Sequence, residues 1–128
     1  EATAALMAFA MEREWDPDNP PSYDDPGLQA GVDAFDYVCA NCHKIGGTTV
    51  PLGITSTVRL PEALNVMNII FDGVRPPLGA RDHSMPEFGA SLTDQNIADV
   101  LRFVRVQYTN LPVWKNLEEI IAEKRENW

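Results

Sequence analysis

The sequence predicts an all-α fold, and three features carry that expectation. Apolar residues recur at helical spacing in three stretches, about 28–38, 61–72 and 93–108. Segments rich in proline and glycine separate them. The run Cys39-Ala40-Asn41-Cys42-His43 closes the first stretch, where the helix has to end.

Taken in order, residues 2–14 have high helix propensity, with Leu6, Phe9, Ala10 and Arg13 stacked at helical spacing. Asp16-Pro17-Asp18-Asn19-Pro20-Pro21 and Asp24-Asp25-Pro26-Gly27 stop that helix, because proline lacks an amide donor and restricts the residue before it. Residues 15–27 therefore read as an extended linker. A second helix starts at Leu28, with Gly31, Phe35 and Val38 on one side and Asp33 and Asp36 on the other, and runs into Cys39. Gly46 to Pro51 form a loop. Pro61 suits the first turn of a third helix, with Leu64, Met67 and Ile70 or Phe71 inward and Gly73 as its C-terminal cap.

Residues 74–91 have no helical period and contain Pro76, Pro77, Gly79, Pro86 and Gly89. A long irregular segment of this kind is usually functional. Thr93 then caps the strongest helix, with Leu92 and Ile97 as a hydrophobic staple, Asp94 in the positive first turn and a stripe of Ile97, Val100, Leu101, Val104 and Tyr108. After Leu111-Pro112 a last amphipathic helix carries Trp114, Leu117, Ile120 and Ile121. The expected organisation is a helix and acidic linker in 1–26, a main domain in 27–110 and a helical extension in 111–128.

The best-patterned part of these 128 residues is small, and a core of that size recruits a disulfide, a metal or a cofactor. Two cysteines three positions apart exclude a disulfide framework. No stretch reaches the ~18 uninterrupted apolar residues of a membrane span. The chain begins with Glu1 and shows no leader, so it reads as a processed or excised product, from which export is inferred. Of the net charge of −9, residues 1–26 hold −6, residues 27–110 hold −2 and residues 111–128 hold −1. Nucleic acid, which needs clustered Lys and Arg, is not an expected partner; the charge leaves a basic protein surface open as one.

In Cys39-x-x-Cys42-His43 both thiols are placed to add to the two vinyl groups of one haem while the adjacent imidazole ligates the iron. The competing meanings of such a pair fit less well. A zinc site takes further ligands, and a thioredoxin-like dithiol follows a strand rather than a helix. The sixth-ligand candidates are Met7, Met11, Met67, Met85 and His83. Met85 is the expected one: it lies in the irregular segment in Ser84-Met85-Pro86, where proline stiffens the backbone that holds a soft thioether. Met67 has core spacing, Met7 and Met11 lie outside the main domain, and His83 is the nearest competitor.

By these residues, positions 27–110 resemble the class I c-type cytochromes. The resemblance implies three core helices around one covalent haem, here with added N- and C-terminal helices. Gly31 and Phe35, eight and four residues before Cys39, match the glycine and aromatic that cross the family's C-terminal helix, and Val100 and Phe103 match the positions that meet them. Pro51 matches the proline whose carbonyl accepts from Nδ1 of the proximal histidine, His43, and Met85 matches the axial methionine. A narrower resemblance, carried by Asn68 to Val74, Met85-Pro86-Glu87-Phe88 and Leu92-Thr93-Asp94 through Arg105, is to cytochrome subunits of bacterial periplasmic dehydrogenases.

These resemblances imply an electron-transfer protein, not an enzyme, with one haem c. It would sit in the periplasm, take electrons from a dehydrogenase and pass them to an oxidase or another cytochrome. Haem-facing apolar residues would include Phe35, Leu52, Leu64 and Val104, and Arg59, Arg75 and Arg81 are candidates for binding propionates. Two alternatives stand beside this: a haem domain of a larger quinohaem or multihaem oxidoreductase, and a haem enzyme or sensor with an open distal side. The apolar faces of the two ends, Leu6 and Phe9, and Trp114, Leu117 and Ile121, either pack back on the domain or dock a partner or a second copy. The docking alternative expects a fragment of residues 27–110 to keep its haem.

Overall fold

The computed structural model describes residues 1–79 and 84–128. Five α-helices run in order: α1 (Ala2–Glu12), α2 (Pro26–Ala34), α3 (Leu64–Asp72), α4 (Asp94–Tyr108) and α5 (Leu117–Glu126). Among the described residues there is no strand longer than a single bridge, and no helix is long and apolar enough to cross a membrane.

The fold is organised by the crossing of α2 on α4. Gly31 makes it possible: a β-carbon there would stand 2.5 Å from Cβ of Phe103 and closer still to the Asp99 carbonyl. Phe35 lies one turn on and meets the Phe103 ring at 5.2 Å between centroids. The crossing that the sequence pattern implied is therefore present, with Asp99 and Phe103 as the residues met by Gly31. The Asp25 carboxylate caps α2 by accepting from the Gly27 amide at 2.8 Å, and Pro26 needs no donor at the first position, so the helix starts earlier than Leu28. Thr93 and Asn96 form a reciprocal capping box at the start of α4.

At its end α2 widens into one π turn, Phe35–Cys39, in which the Ala40 amide donates to the Phe35 carbonyl at 2.9 Å. Helix α3 begins at Leu64 rather than at Pro61. The preceding residues form a short 3₁₀ turn, Thr57–Arg59, and bends, and their carbonyls serve other elements: Arg105 donates to Val58 and Leu60, and Trp114 Nε1 donates to Leu60 at 2.9 Å. Leu64, expected to face the cofactor, is 49% exposed.

Both ends pack back on the domain. Trp15, from the supposed linker, is wholly buried against Phe35 and Phe103 at centroid distances of 5.2 and 5.9 Å. Arg13 donates to the carbonyls of Val106, Gln107 and Thr109, which the C-terminus of α4 leaves without helical partners. At the other end Trp114, Leu117 and Ile121 are buried in the same core. The docking alternative for those three side chains is thus corrected: their faces are covered within the chain. On α1, by contrast, Leu6, Met7 and Met11 stay exposed.

Candidate haem site

The π turn sets the geometry of the Cys39 to His43 run. It spends one extra residue in the last turn of α2, and the Cys42 and His43 amides both donate back to the Cys39 carbonyl, at 3.1 and 2.9 Å. The Asn41 side chain donates to the Tyr37 and Val38 carbonyls, closing the helix end. Cys39 is half-buried, Cys42 is exposed, and the two thiols are not bonded to each other. Burial, reinforced by the neighbouring Cys42, pushes the Cys39 thiol up to about 12. A redox dithiol works through a thiol of lowered pKa, so this environment disfavours that use.

His43 is half-buried, and burial holds its imidazole below the usual pKa, in the neutral form. The Thr49 hydroxyl donates to the Cys42 carbonyl at 3.1 Å, and its oxygen lies 3.3 Å from His43 Nδ1. A hydroxyl whose proton is committed in that way accepts from Nδ1–H, which leaves Nε2 with the lone pair that a metal takes. Thr49 was not singled out from the sequence; its signal was a hydroxyl in the short loop between the histidine and Pro51. Pro51 lines the same pocket as His43, together with Leu52 and Tyr108, but the expected bond from His43 Nδ1 to its carbonyl is not made: Nδ1 lies at the Thr49 hydroxyl instead, and the Pro51 carbonyl accepts from the Ile54 amide at 3.1 Å as the short turn at Leu52–Ile54 closes. Tyr108 is held protonated, its pKa raised first by burial and then by the nearby Cys39 and Glu14.

Met85 is held by backbone. Its amide and carbonyl pair with Val74 at 3.0 and 2.9 Å, an isolated antiparallel bridge that follows the end of α3. Gly73 makes this approach possible, with φ of 71° and room for no β-carbon, which would stand 2.5 Å from the Met85 carbonyl oxygen. Met85 is half-buried and packs on the core. Of the other methionines, Met67 is fully buried on α3, as its core spacing implied, and Met7 and Met11 are exposed on α1. His83 and Arg81 lie outside the described residues.

Arg59 donates to the Gly53 carbonyl at 2.6 Å and stands 5.4 Å from the Phe9 ring centre; its Nε is buried with no partner among the described residues. Arg75 is exposed. Two separate thiols, a neutral imidazole with Nε2 free and a thioether on a pinned backbone together form a donor set that fits a c-type haem.

Residues 26–104, from the first residue of α2 to Val104, match the family described as cytochrome c oxidase, cbb3-type, subunit III. The chain belongs to this family of c-type cytochromes. It is an electron-transfer domain of the class I type, with a covalent haem c. Among curated proteins, one of the nicotinate dehydrogenase subunits of Pseudomonas putida is 26% identical over 107 residues, which are 78% of this chain and 9% of that protein. The cytochrome c subunit of the quinone alcohol dehydrogenase of Gluconobacter oxydans is 33% identical over 89 residues, 63% of this chain and 19% of that subunit. The corresponding subunit of Komagataeibacter europaeus is 33% identical over 88 residues, 62% and 19% of the two chains. This cytochrome domain thus spans a fifth or less of the length of those relatives.

Proposed function

We propose that the domain carries one haem c, linked through thioethers to Cys39 and Cys42, with His43 and Met85 as axial ligands, and relays single electrons from a periplasmic dehydrogenase towards a respiratory oxidase or another cytochrome. The observation that supports the ligand set most is the pairing of an imidazole whose Nδ1 meets the Thr49 hydroxyl with a thioether whose backbone is bridged to Val74. Bound haem c supplies a one-electron ferric–ferrous couple. The chain's part is to hold and tune. Met85 favours the reduced state, and the buried Phe35 and Val104, with half-buried Leu52, keep water back, which penalises the extra charge of the oxidised state.

Pro51 belongs to the wall beside His43, and Arg59, with its unpartnered Nε, is the propionate partner best supported; Arg75 and Arg81 are further candidates. The acidic N-terminal arm suits a basic partner surface. A docking role for the ends narrows to α1, where Leu6 is exposed beside Met7 and Met11, while Phe9 is half-buried under Arg13 and Arg59. The names of the relatives support a dehydrogenase as donor, and the small share of their length that is matched favours a second reading, a haem domain of a longer quinohaem or multihaem oxidoreductase. The complete reading frame distinguishes the two.

The ligand assignment is tested by substitution. Met85→Ala should keep the haem covalently bound, lower the reduction potential and open the iron to imidazole or cyanide. If His83→Ala does this and Met85→Ala does not, the assignment is wrong.

A further inference from the structure

Residues 85–92, the last part of the connection that leads into α4, have no helix of their own and begin with Met85. On one side they are tied to α3 by backbone. Besides the bridge to Val74, the Phe88 amide donates to the Ile70 carbonyl at 2.9 Å and the Gly89 amide to the Phe71 carbonyl at 3.2 Å. Those carbonyls are among the last of α3 and have no partner inside the helix, so the segment satisfies the helix end while being anchored by it.

On the other side the ties come from the C-terminus. Arg125 of α5 donates from Nη1 to the Gly89 carbonyl, from Nη2 to the Leu92 carbonyl at 2.9 Å and from Nε to the Asp94 carboxylate at 2.8 Å. One planar guanidinium thereby joins three points of the segment and of the α4 start in a fixed geometry, which a flexible ammonium does not do. The same guanidinium stacks 4.7 Å from the centre of the buried Phe71 ring. Trp128 meets Phe71 edge-on at 5.8 Å, donates from Nε1 to Asp72 at 2.7 Å and covers Gly89 so closely that a β-carbon there would come within 2.6 Å of the indole.

We propose that Arg125 and Trp128 are positioning residues for Met85, clamping the segment that carries it against α3 and so setting how firmly its thioether holds the metal. The inference rests on Met85 being the axial ligand. It gives the C-terminal helix, which the sequence pattern marked as an addition, a part in the electron-transfer site. An outside ligand binds only the molecules in which the thioether has let go, so its apparent affinity reports the released fraction. Loss of even one of the three Arg125 hydrogen bonds changes such an equilibrium about tenfold, so loss of all three sets tenfold as the smallest effect expected.

The test compares Arg125→Ala, Lys124→Ala and Met85→Ala in the full chain, read by the methionine-to-iron charge-transfer band of the ferric protein and by imidazole titration. Lys124 donates to Asp72 at 2.8 Å and makes no hydrogen bond to residues 85–92 among the described residues, so its loss removes one tie between α5 and α3 while leaving the three Arg125 hydrogen bonds in place. Arg125→Ala should keep covalent haem, show a weakened band and bind imidazole at least about tenfold more tightly, while Lys124→Ala, which keeps the Arg125 hydrogen bonds, shows a clearly smaller change. A parental band and affinity in Arg125→Ala, or an equal effect in Lys124→Ala, overturns the clamp. Should Met85→Ala keep the band, the ligand reading itself fails and the clamp with it. If Arg125→Ala does not fold, a chain ending at Asn127 carries the same expectation, and a parental imidazole affinity in that protein overturns it.

Discussion

Gly31 on α2 lies against Phe103 on α4 so closely that a β-carbon would stand 2.5 Å from the Phe103 β-carbon. The close approach brings Phe35 onto Phe103 and aims the end of α2, with its π turn, at the site. Because the nearest atoms include backbone of Asp99, neither helix can yield by a side-chain rotation. Gly31→Ala should therefore cost about 3 kcal/mol by overpacking, seen as a lower urea midpoint at unchanged slope.

Trp15 joins the N-terminal arm to the same aromatic cluster, with Phe35 and Phe103 as neighbours. Trp15→Ala should cost about 3–5 kcal/mol, the range for truncating a large buried aromatic. A fragment of residues 27–110, which lacks Trp15 as well as Trp114, Leu117 and Ile121, should lose cooperative thermal unfolding. A fragment that melts like the full chain would contradict the packing described.

Gly73 holds φ of 71° beside the Met85 carbonyl. Gly73 pairs that φ with a ψ of −174°, a region open essentially to glycine, so Gly73→Ala adds strain of about 1–3 kcal/mol, and the clash with Met85 adds to it. Thermal unfolding should shift down and the charge-transfer band should weaken together; a stability loss with an unchanged band would separate Gly73 from the placement of Met85.

The C-terminal contacts carry a pH signature. Hydrogen bonds from Lys124 and Trp128 hold the Asp72 carboxyl below its ordinary 3.8, and Arg102 holds Glu118 below its ordinary 4.5. Both groups bind protons less readily in the folded chain, so their contribution is present above the ordinary values and lost as the pH falls through the folded ones. Stability measured from about pH 6 down to about pH 3 should fall less steeply in Asp72→Asn and Glu118→Gln than in the parent. Added salt should shrink the difference, since both carboxylates face water.

The sequence disclosed the parts of this fold whose causes are local. Thr93 as a cap, Gly73 as a helix end and the α4 stripe follow from single-helix rules, and all three are present. Pro61 obeyed the same rules and still did not start a helix, because carbonyls of residues 58 and 60 are used by Arg105 and Trp114 from distant parts of the chain. Trp15 sits among aspartates and prolines, and nothing nearby in sequence says that its ring is buried. Likewise Cys39, Cys42, His43 and Met85 could be named as candidates from residue types and spacing. The Thr49 hydroxyl beside His43 and the Arg125 fork on Gly89, Leu92 and Asp94 depend on tertiary placement, which spacing does not encode.

The most direct measurement is the absorption spectrum of the purified ferric protein, taken alone and during titration with imidazole. With His43 and Met85 both on the iron, the spectrum should be low-spin with a methionine-to-iron charge-transfer band, at one covalent haem per chain, and the band should fade only as imidazole displaces Met85. A high-spin spectrum that lacks the band and takes up imidazole without competition would mean that Met85 is not bound, and would contradict the proposed ligand set.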